Sequence, residues 1–318
     1  MSLLSVHNLT KTFSGANGAR VQAVSDVSFS VHAGEVLGVV GESGCGKTTL
    51  GHAILRLIEP DSGKVMYGGL DLVSATKAEL KQTRRDLQII FQDPFGSLNP
   101  RHKIGTVVGE PLLVHGIGSH SERRDRVASL LNLVGLPEDS SNRFPHEFSG
   151  GQRQRIAIAR ALALDPKLIV ADESVSALDV SIQSQILNLI AELRVKLGMS
   201  IIFISHDLSV IRHISDRIAV MYLGRIVEIG PALQVMSKPQ HPYTQALLSS
   251  VPEISLSRHK AKAIISGEPP DPSNPPPGCT FSNRCPQATS LCRMTRPELL
   301  PVNGDAQGVE TACHLYAT

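Results

Sequence analysis

Gly41-Glu42-Ser43-Gly44-Cys45-Gly46-Lys47-Thr48 is the stretch that most narrows what this 318-residue chain can become. It follows the apolar run Val36-Leu37-Gly38-Val39-Val40, which reads as a short buried strand. A helix can begin at Lys47. Strand, GxxxxGK(S/T) loop and helix in that order make a phosphate loop. The glycines let the backbone curl so that successive N–H groups point at phosphate oxygens. The helix N-terminus adds unpaired N–H groups and partial positive charge. Gly41, Ser43, Gly44, Cys45, Gly46, Lys47, Thr48 and Thr49 form the candidate nucleotide-binding set. Lys47 is expected to reach the β- and γ-phosphates, and the Thr48 hydroxyl to ligate Mg²⁺. Cys45 reads as a spacer, because no nearby histidine is evident in sequence to activate it as a nucleophile.

Three further segments carry chemistry. Leu168-Ile169-Val170-Ala171 is apolar throughout, as in a strand buried on both faces of a parallel sheet, and it ends in Asp172-Glu173. The C-terminal ends of such strands are where α/β sheets place ligands. Asp172 is therefore expected in the Mg²⁺ shell, and Glu173 is expected to orient or deprotonate the attacking water. A second strand-like run at residues 201–204 leads into Ser205-His206-Asp207, from which His206 can hydrogen-bond a γ-phosphate. Phe148-Ser149-Gly150-Gly151-Gln152 opens a helical stretch over residues 153–164. Ser149 is the expected N-cap, and the two glycines expose N–H groups as a second anion site. One nucleotide cannot easily use two phosphate cradles far apart in one chain.

These motifs in this order resemble the nucleotide-binding subunit of ABC transporters, over residues 1 to about 230. There the signature reads LSGGQ, and this chain carries Phe148 in place of Leu. The resemblance implies a head-to-tail dimer in which the phosphate loop of one subunit and the signature of the other (Ser149, Gly150, Gly151, Gln152) enclose each ATP. It implies that Gln92, after a strand at residues 87–91, senses the γ-phosphate and joins the Mg²⁺ ligands. It further implies that Asp179, in Ser176-Ala177-Leu178-Asp179, crosses to the opposite site and that Phe13 stacks on adenine. The implied fold is an α/β P-loop NTPase cassette: a RecA-like core with an antiparallel β subdomain and a helical subdomain at about residues 92–150. The implied activity is transport-coupled ATP hydrolysis.

A narrower similarity lies in Asp93-Pro94-Phe95-Gly96-Ser97-Leu98-Asn99-Pro100, in Asp172 through Val180, and in His241-Pro242-Tyr243-Thr244. These resemble the oligopeptide/dipeptide permease ATPases, and Val175-Ser176 resembles the F-type subunit. Ser174 departs from the Pro or Ala more common there. The resemblance implies import of di- or oligopeptides, a D-type ATPase partner, two transmembrane permease subunits and, indirectly, an extracytoplasmic solute-binding protein. It implies a peripheral place on the cytoplasmic face of the cell membrane. Relatives of this architecture also serve nickel and glutathione, and a soluble ABC ATPase outside transport is a further alternative.

Composition is consistent with this. The formal net charge is +2 and the isoelectric point about 8.3, so nothing marks a nucleic-acid surface. No apolar stretch approaches the ~18 to 20 residues needed to span a bilayer, and no signal peptide is expected. Val127, Leu130, Leu131 and Val134 are spaced as one helix face. Residues 151–230 read as parallel βαβ units closing with a strand near Gly224-Arg225-Ile226-Val227-Glu228-Ile229-Gly230, and residues 231–264 read as helical. Residues 231–318 are expected to form a C-terminal extension beyond the cassette of residues 1–230. Within it, residues 266–278 are too rich in proline and glycine for helix or central strand.

Four of the five cysteines, Cys279, Cys285, Cys292 and Cys313, follow that segment with the spacing C-x5-C-x6-C-x20-C. In a reducing compartment disulfides are not expected. Four thiolates in so small a module point to a metal or cluster staple that supplies folding energy. A [4Fe–4S] cluster, zinc or unligated thiols all fit the spacing. The Gly278-Cys279, Arg284-Cys285-Pro286 and Cys313-His314 elements resemble the peptide-permease ATPases, which implies the cluster. Loss of a cluster ligand is expected to loosen residues 265–318 while leaving nucleotide binding at Lys47 and Thr48 largely intact, since the cassette has its own core.

Overall fold

The computed structural model describes residues 2–15, 19–176, 178–250, 267–268, 270–302 and 308–316. Along the chain run β1 (Ser2–Ser14), β2 (Arg20–His32), β3 (Val36–Val40), α1 (Lys47–Ile54), β4 (Ser62–Tyr67), β5 (Leu70–Asp71), α2 (Lys77–Thr83) and β6 (Leu87–Ile90). Next come α3 (Pro94–Ser97), α4 (Ile104–Val114), α5 (His120–Leu133), α6 (Gly150–Ala161), β7 (Leu168–Asp172), α7 (Val180–Leu197), β8 (Ser200–Ser205) and α8 (Leu208–Ile214). The chain then continues through β9 (Arg217–Tyr222), β10 (Arg225–Pro231), α9 (Ala232–Ser237), α10 (Pro242–Ser249), α11 (Ser290–Met294), β11 (Leu300–Pro301) and β12 (Glu310–Thr311). The backbone divides into two compact units.

One unit holds residues 32–35 and 74–204. Its strands lie in the order β8-β7-β6, all parallel, with Leu87 opposite Leu168 and Ala171 opposite Phe203. Every residue of β7 and β8 is buried, as expected for central parallel strands. The helical segment joins β6 to β7. On α5, Val127, Leu130 and Leu131 are buried, as is Val134 just beyond its end. Ser119 and Glu122 form a capping box at the start of α5, and Ser149 and Gln152 form another at the start of α6.

The other unit holds residues 2–31, 36–73 and 205–318. A four-stranded sheet orders β2-β1-β4-β5, with β1–β4 and β4–β5 antiparallel. A second run of strands orders β11-β12-β10-β9-β3. There β3 and β9 are parallel, while β9, β10, β12 and β11 pair antiparallel in turn.

One expectation changes. Helix over residues 231–264 is interrupted at Lys238–His241, where Pro239 and Pro242 break it into α9 and α10. Residues 251–264 of that expectation lie outside the described residues, as does Ala177. Within this unit β12 pairs with the edge of β10, with Glu310 opposite Ile229 and Thr311 opposite Glu228.

Ser174, just after β7, is 2% exposed, and its hydroxyl has no hydrogen-bond partner among the described residues. A buried hydroxyl without a partner costs on the order of 1–3 kcal/mol. Ser174→Ala should therefore raise stability by about 1 kcal/mol in urea unfolding; a loss of stability would mean that the hydroxyl is satisfied.

Candidate functional site

The phosphate loop leaves β3 at Val40 and re-enters regular structure at Lys47, the first residue of α1. Gly46 has φ of 104°, and a Cβ there would lie 1.8 Å from the Ala23 carbonyl oxygen, so only glycine fits. Lys47 is 4% exposed. Its Nζ donates to the carbonyl oxygens of Gly41 (2.9 Å) and Glu42 (3.0 Å) and approaches Cys45 Sγ at 3.9 Å. Cys45 is buried beneath the loop, and burial raises its thiol pKa, in keeping with a spacer and not a nucleophile. Ser43 and Gly44 are exposed, and Thr48 and Thr49 half-buried.

The loop is held from the C-terminal side of the chain. The Glu42 N–H donates to the Tyr243 hydroxyl at 2.9 Å. The Glu42 carboxylate receives both terminal nitrogens of Arg284, at 3.0 and 3.2 Å. Tyr222, Tyr243 and Phe281 stack around this contact with ring centroids 4.6 to 5.5 Å apart. Below Tyr243, the buried Glu228 carboxylate accepts from the N–H groups of Gln240 (2.8 Å) and His241 (2.9 Å). His241 caps α10 by accepting the Tyr243 N–H at Nδ1, 3.1 Å. Sequence reading gave none of these side chains a role. The only signals were the His241-Pro242-Tyr243-Thr244 and Arg284-Cys285-Pro286 strings.

In the other unit, β7 delivers Asp172, 1% exposed, and Glu173, which is half-buried. Glu173 takes φ of 41°, the left-handed region that a non-glycine residue occupies at a cost of ~1–3 kcal/mol. The turn is fixed by its N–H donating to the Ile204 carbonyl (3.0 Å) and by Ser176 Oγ donating to the Glu173 carbonyl (2.9 Å). Gln92, just beyond β6, donates through Nε2 to Glu173 Oε2 at 2.8 Å. The structure thus brings together Gln92 and Glu173, which are 81 positions apart in sequence.

The second glycine pair is more constrained than its sequence implies. Ser149 caps α6, and Gln152 answers it, its Oε1 accepting the Ser149 N–H at 3.0 Å. A Cβ on Gly151 would lie 2.6 Å from the Ile182 Cγ2 methyl of α7, whereas one on Gly150 would meet only the Leu178 side chain at 3.5 Å. Gly151 is therefore required by packing within the chain, and Gly150 is the sterically permissive position. Asp179 is exposed and precedes α7 without a side-chain capping bond. His206 is exposed at the C-terminal end of β8, where Ser205 and Asp207 are engaged in the turn into α8. Phe13, at the end of β1, is 38% exposed with Lys11 Nζ 5.5 Å from its ring centre.

Cys279, Cys285, Cys292 and Cys313 line one small pocket together with His241, Phe281 and His314. Burial raises the thiol pKa values of Cys279 (to about 11), Cys285 and Cys313. A Cys₄ donor set in one pocket fits a cluster or zinc by its chemistry. Among the described residues, no group of three or more His, Cys, Asp or Glu is drawn close enough to hold a metal ion as the side chains stand. The oxygen donors offered by Thr48, Asp172 and Gln92 are of the hard class that Mg²⁺ takes.

Comparison with known proteins agrees with these motifs. Residues 24–176 match the ABC transporter family model, and residues 227–292 match the model for the oligopeptide/dipeptide transporter C-terminal region. The oligopeptide transport ATP-binding protein AppF of Bacillus subtilis is 50% identical over 301 residues, covering 93% of this chain and 90% of AppF. The di/tripeptide transport ATP-binding protein DppF of Pseudomonas aeruginosa is 48% identical over 318 residues, covering 98% of this chain and 97% of DppF. The chain belongs to the ABC transporter family as an ATP-binding subunit of the oligopeptide/dipeptide type. Among solved structures, a dimeric ATP-binding cassette in a post-hydrolysis state with ADP and Pi is similar. It is 31% identical with a TM-score of 0.66, covering 72% of this chain and 98% of that one. The chain is accordingly an ABC-type ATPase on the P-loop cassette fold, and no helix among its described residues is long and apolar enough to cross a membrane.

Burial pushes the His241 imidazole down from 6.5 to about 3. Below pH 6.5 the unfolded chain takes up a proton that the folded chain refuses until about pH 3. Stability from neutral His241 is thus present above 6.5 and lost progressively as pH falls toward 3. His241→Asn keeps an acceptor for the Tyr243 N–H and removes the titration. It should flatten the fall in unfolding temperature between about pH 6.5 and pH 5; an unchanged slope would assign the acid sensitivity to another group.

Proposed function

We propose that this chain is the ATP-hydrolysing subunit that powers import of di- or oligopeptides through an ABC transporter. The observation that carries this is the extent of the likeness to peptide-transport ATPases. It runs through the cassette and through the cysteine-bearing tail, over more than nine-tenths of the chain.

The residues divide the work as follows. Backbone N–H groups of residues 41–49 cradle the phosphates, and Lys47 meets the β- and γ-phosphates. Thr48, Asp172 and Gln92 hold Mg²⁺, which when bound supplies positive charge against the phosphate oxygens. Glu173 accepts the proton of the attacking water, and its bond from Gln92 orients the carboxylate. His206 donates to the γ-phosphate. Phe13 stacks on adenine. Ser149, Gly150, Gly151 and Gln152 serve the ATP of a partner subunit, and Asp179 reaches toward that partner.

The partner in this reading is a D-type ATPase subunit. The pair docks on two transmembrane permease subunits at the cytoplasmic face of the membrane, and a solute-binding protein delivers peptide on the other side. Cys279, Cys285, Cys292 and Cys313 hold a [4Fe–4S] cluster that cross-links the tail. What supports this is the donor set lining one pocket. Iron analysis after anaerobic purification checks it: about four irons per chain are expected, and stoichiometric zinc or no metal would refute it.

In the assembled transporter, Glu173→Gln should bind ATP and lower turnover by roughly 10²–10⁴-fold, the range for losing a general base. Lys47→Ala should weaken ATP binding itself. Full turnover by Glu173→Gln, with the partner's own site disabled, would remove Glu173 from the role of base. Gly150→Val should block the closed dimer without abolishing ATP binding to this subunit. A sandwich that still forms would show that the signature does not act on the partner's nucleotide.

A further inference from the structure

The phosphate loop contains a carboxylate. Glu42 is the second residue of the loop, and its negative charge opposes a polyphosphate that must bind a few residues away. Among the described residues, the side chain that pairs with this charge is Arg284, contributed by the cysteine module 242 positions later. Arg284 is 8% exposed. It grips Glu42 through two parallel N–H···O bonds, the geometry in which a guanidinium–carboxylate pair is both strongest and most directional. Its Nη1 also donates to the Tyr222 hydroxyl at 3.2 Å, which fixes the guanidinium plane.

The rest of Glu42 is equally constrained. Its N–H is taken by Tyr243 and its carbonyl by Lys47. Arg284 itself stands on a tight turn, where the Ser282 N–H donates to the Cys279 carbonyl and the Arg284 N–H to the Phe281 carbonyl. That turn spans the first two cysteines of the module. A tail with no bearing on nucleotide binding would not place a buried cation on the phosphate loop.

We propose that Arg284 is a positioning residue for the phosphate loop: by neutralising and holding Glu42 it sets the affinity of this cassette for ATP. The cysteine module is then a strut of the nucleotide site, and a change that reshapes the 279–285 turn is felt first as a change in nucleotide affinity. The proposal rests on residues 41–49 being the nucleotide loop, and Lys47→Ala serves as the control for that reading.

The test is ATP binding and ATP turnover by the full-length chain in its assembled transporter. Arg284→Gln leaves the Glu42 carboxylate unpaired at the loop and should raise the Kd and KM for ATP about tenfold with kcat little changed. Adding Glu42→Gln removes that charge and should restore most of the lost affinity. A merely structural arginine would give no such rescue. Tyr243→Phe keeps the ring stack and loses only the hydroxyl, so it carries the test even if Arg284→Gln does not fold; an ATP Kd raised a few-fold is expected. Parental affinity in folded Arg284→Gln, a double variant no tighter than Arg284→Gln, or parental affinity in Tyr243→Phe would overturn the proposal. Loss of the Lys47→Ala effect would instead overturn the assignment of the loop.

Discussion

A lysine ammonium that is 4% exposed must find acceptors or be expelled. Lys47 finds them in the carbonyls of its own loop, Gly41 and Glu42. Much of this unit serves to keep that loop curled. Gly46 adopts a conformation closed to other residues against the Ala23 carbonyl, Cys45 fills the space beneath, and Tyr243 takes the Glu42 N–H. These bonds satisfy a buried charge. The loop is in this sense preorganised, since little has to be ordered when nucleotide arrives.

The same economy governs the carboxylate end of β7. Glu173 is forced into a left-handed turn, and the Ile204 carbonyl and the Ser176 hydroxyl hold it there. A strained residue persists only where its surroundings over-determine it, and such residues concentrate where function needs a side chain aimed in one direction. Here the aim is further set by Gln92.

The local elements were largely legible in the sequence. Strand β3, the start of α1 at Lys47, the burial of β7 and the Ser149 cap follow from apolar runs and capping chemistry, which act over a few residues. The helix over residues 231–264 was less legible, because two prolines outweigh an otherwise helical pattern. Long-range contacts were not legible at all. Nothing in the spacing of Gly150 and Gly151 tells that Ile182 forbids a side chain on one and not the other. Nothing in an arginine beside a cysteine tells that it will meet Glu42, and two-residue strands such as β12 carry too little pattern to be seen. The candidate residues of the motifs were readable because each motif is contiguous; the side chains that brace the phosphate loop come from residues 222–284 and needed the fold.

ATP turnover at this cassette is spent on moving peptide across a membrane. The most direct measurement is ATP hydrolysis and labelled-peptide uptake, followed together, in vesicles carrying this chain with its partner ATPase, permeases and solute-binding protein. Peptide should stimulate hydrolysis, and uptake should stop when ATP is withheld. Hydrolysis indifferent to di- and oligopeptides, with no labelled peptide accumulating in ATP-supplied vesicles, would contradict the account.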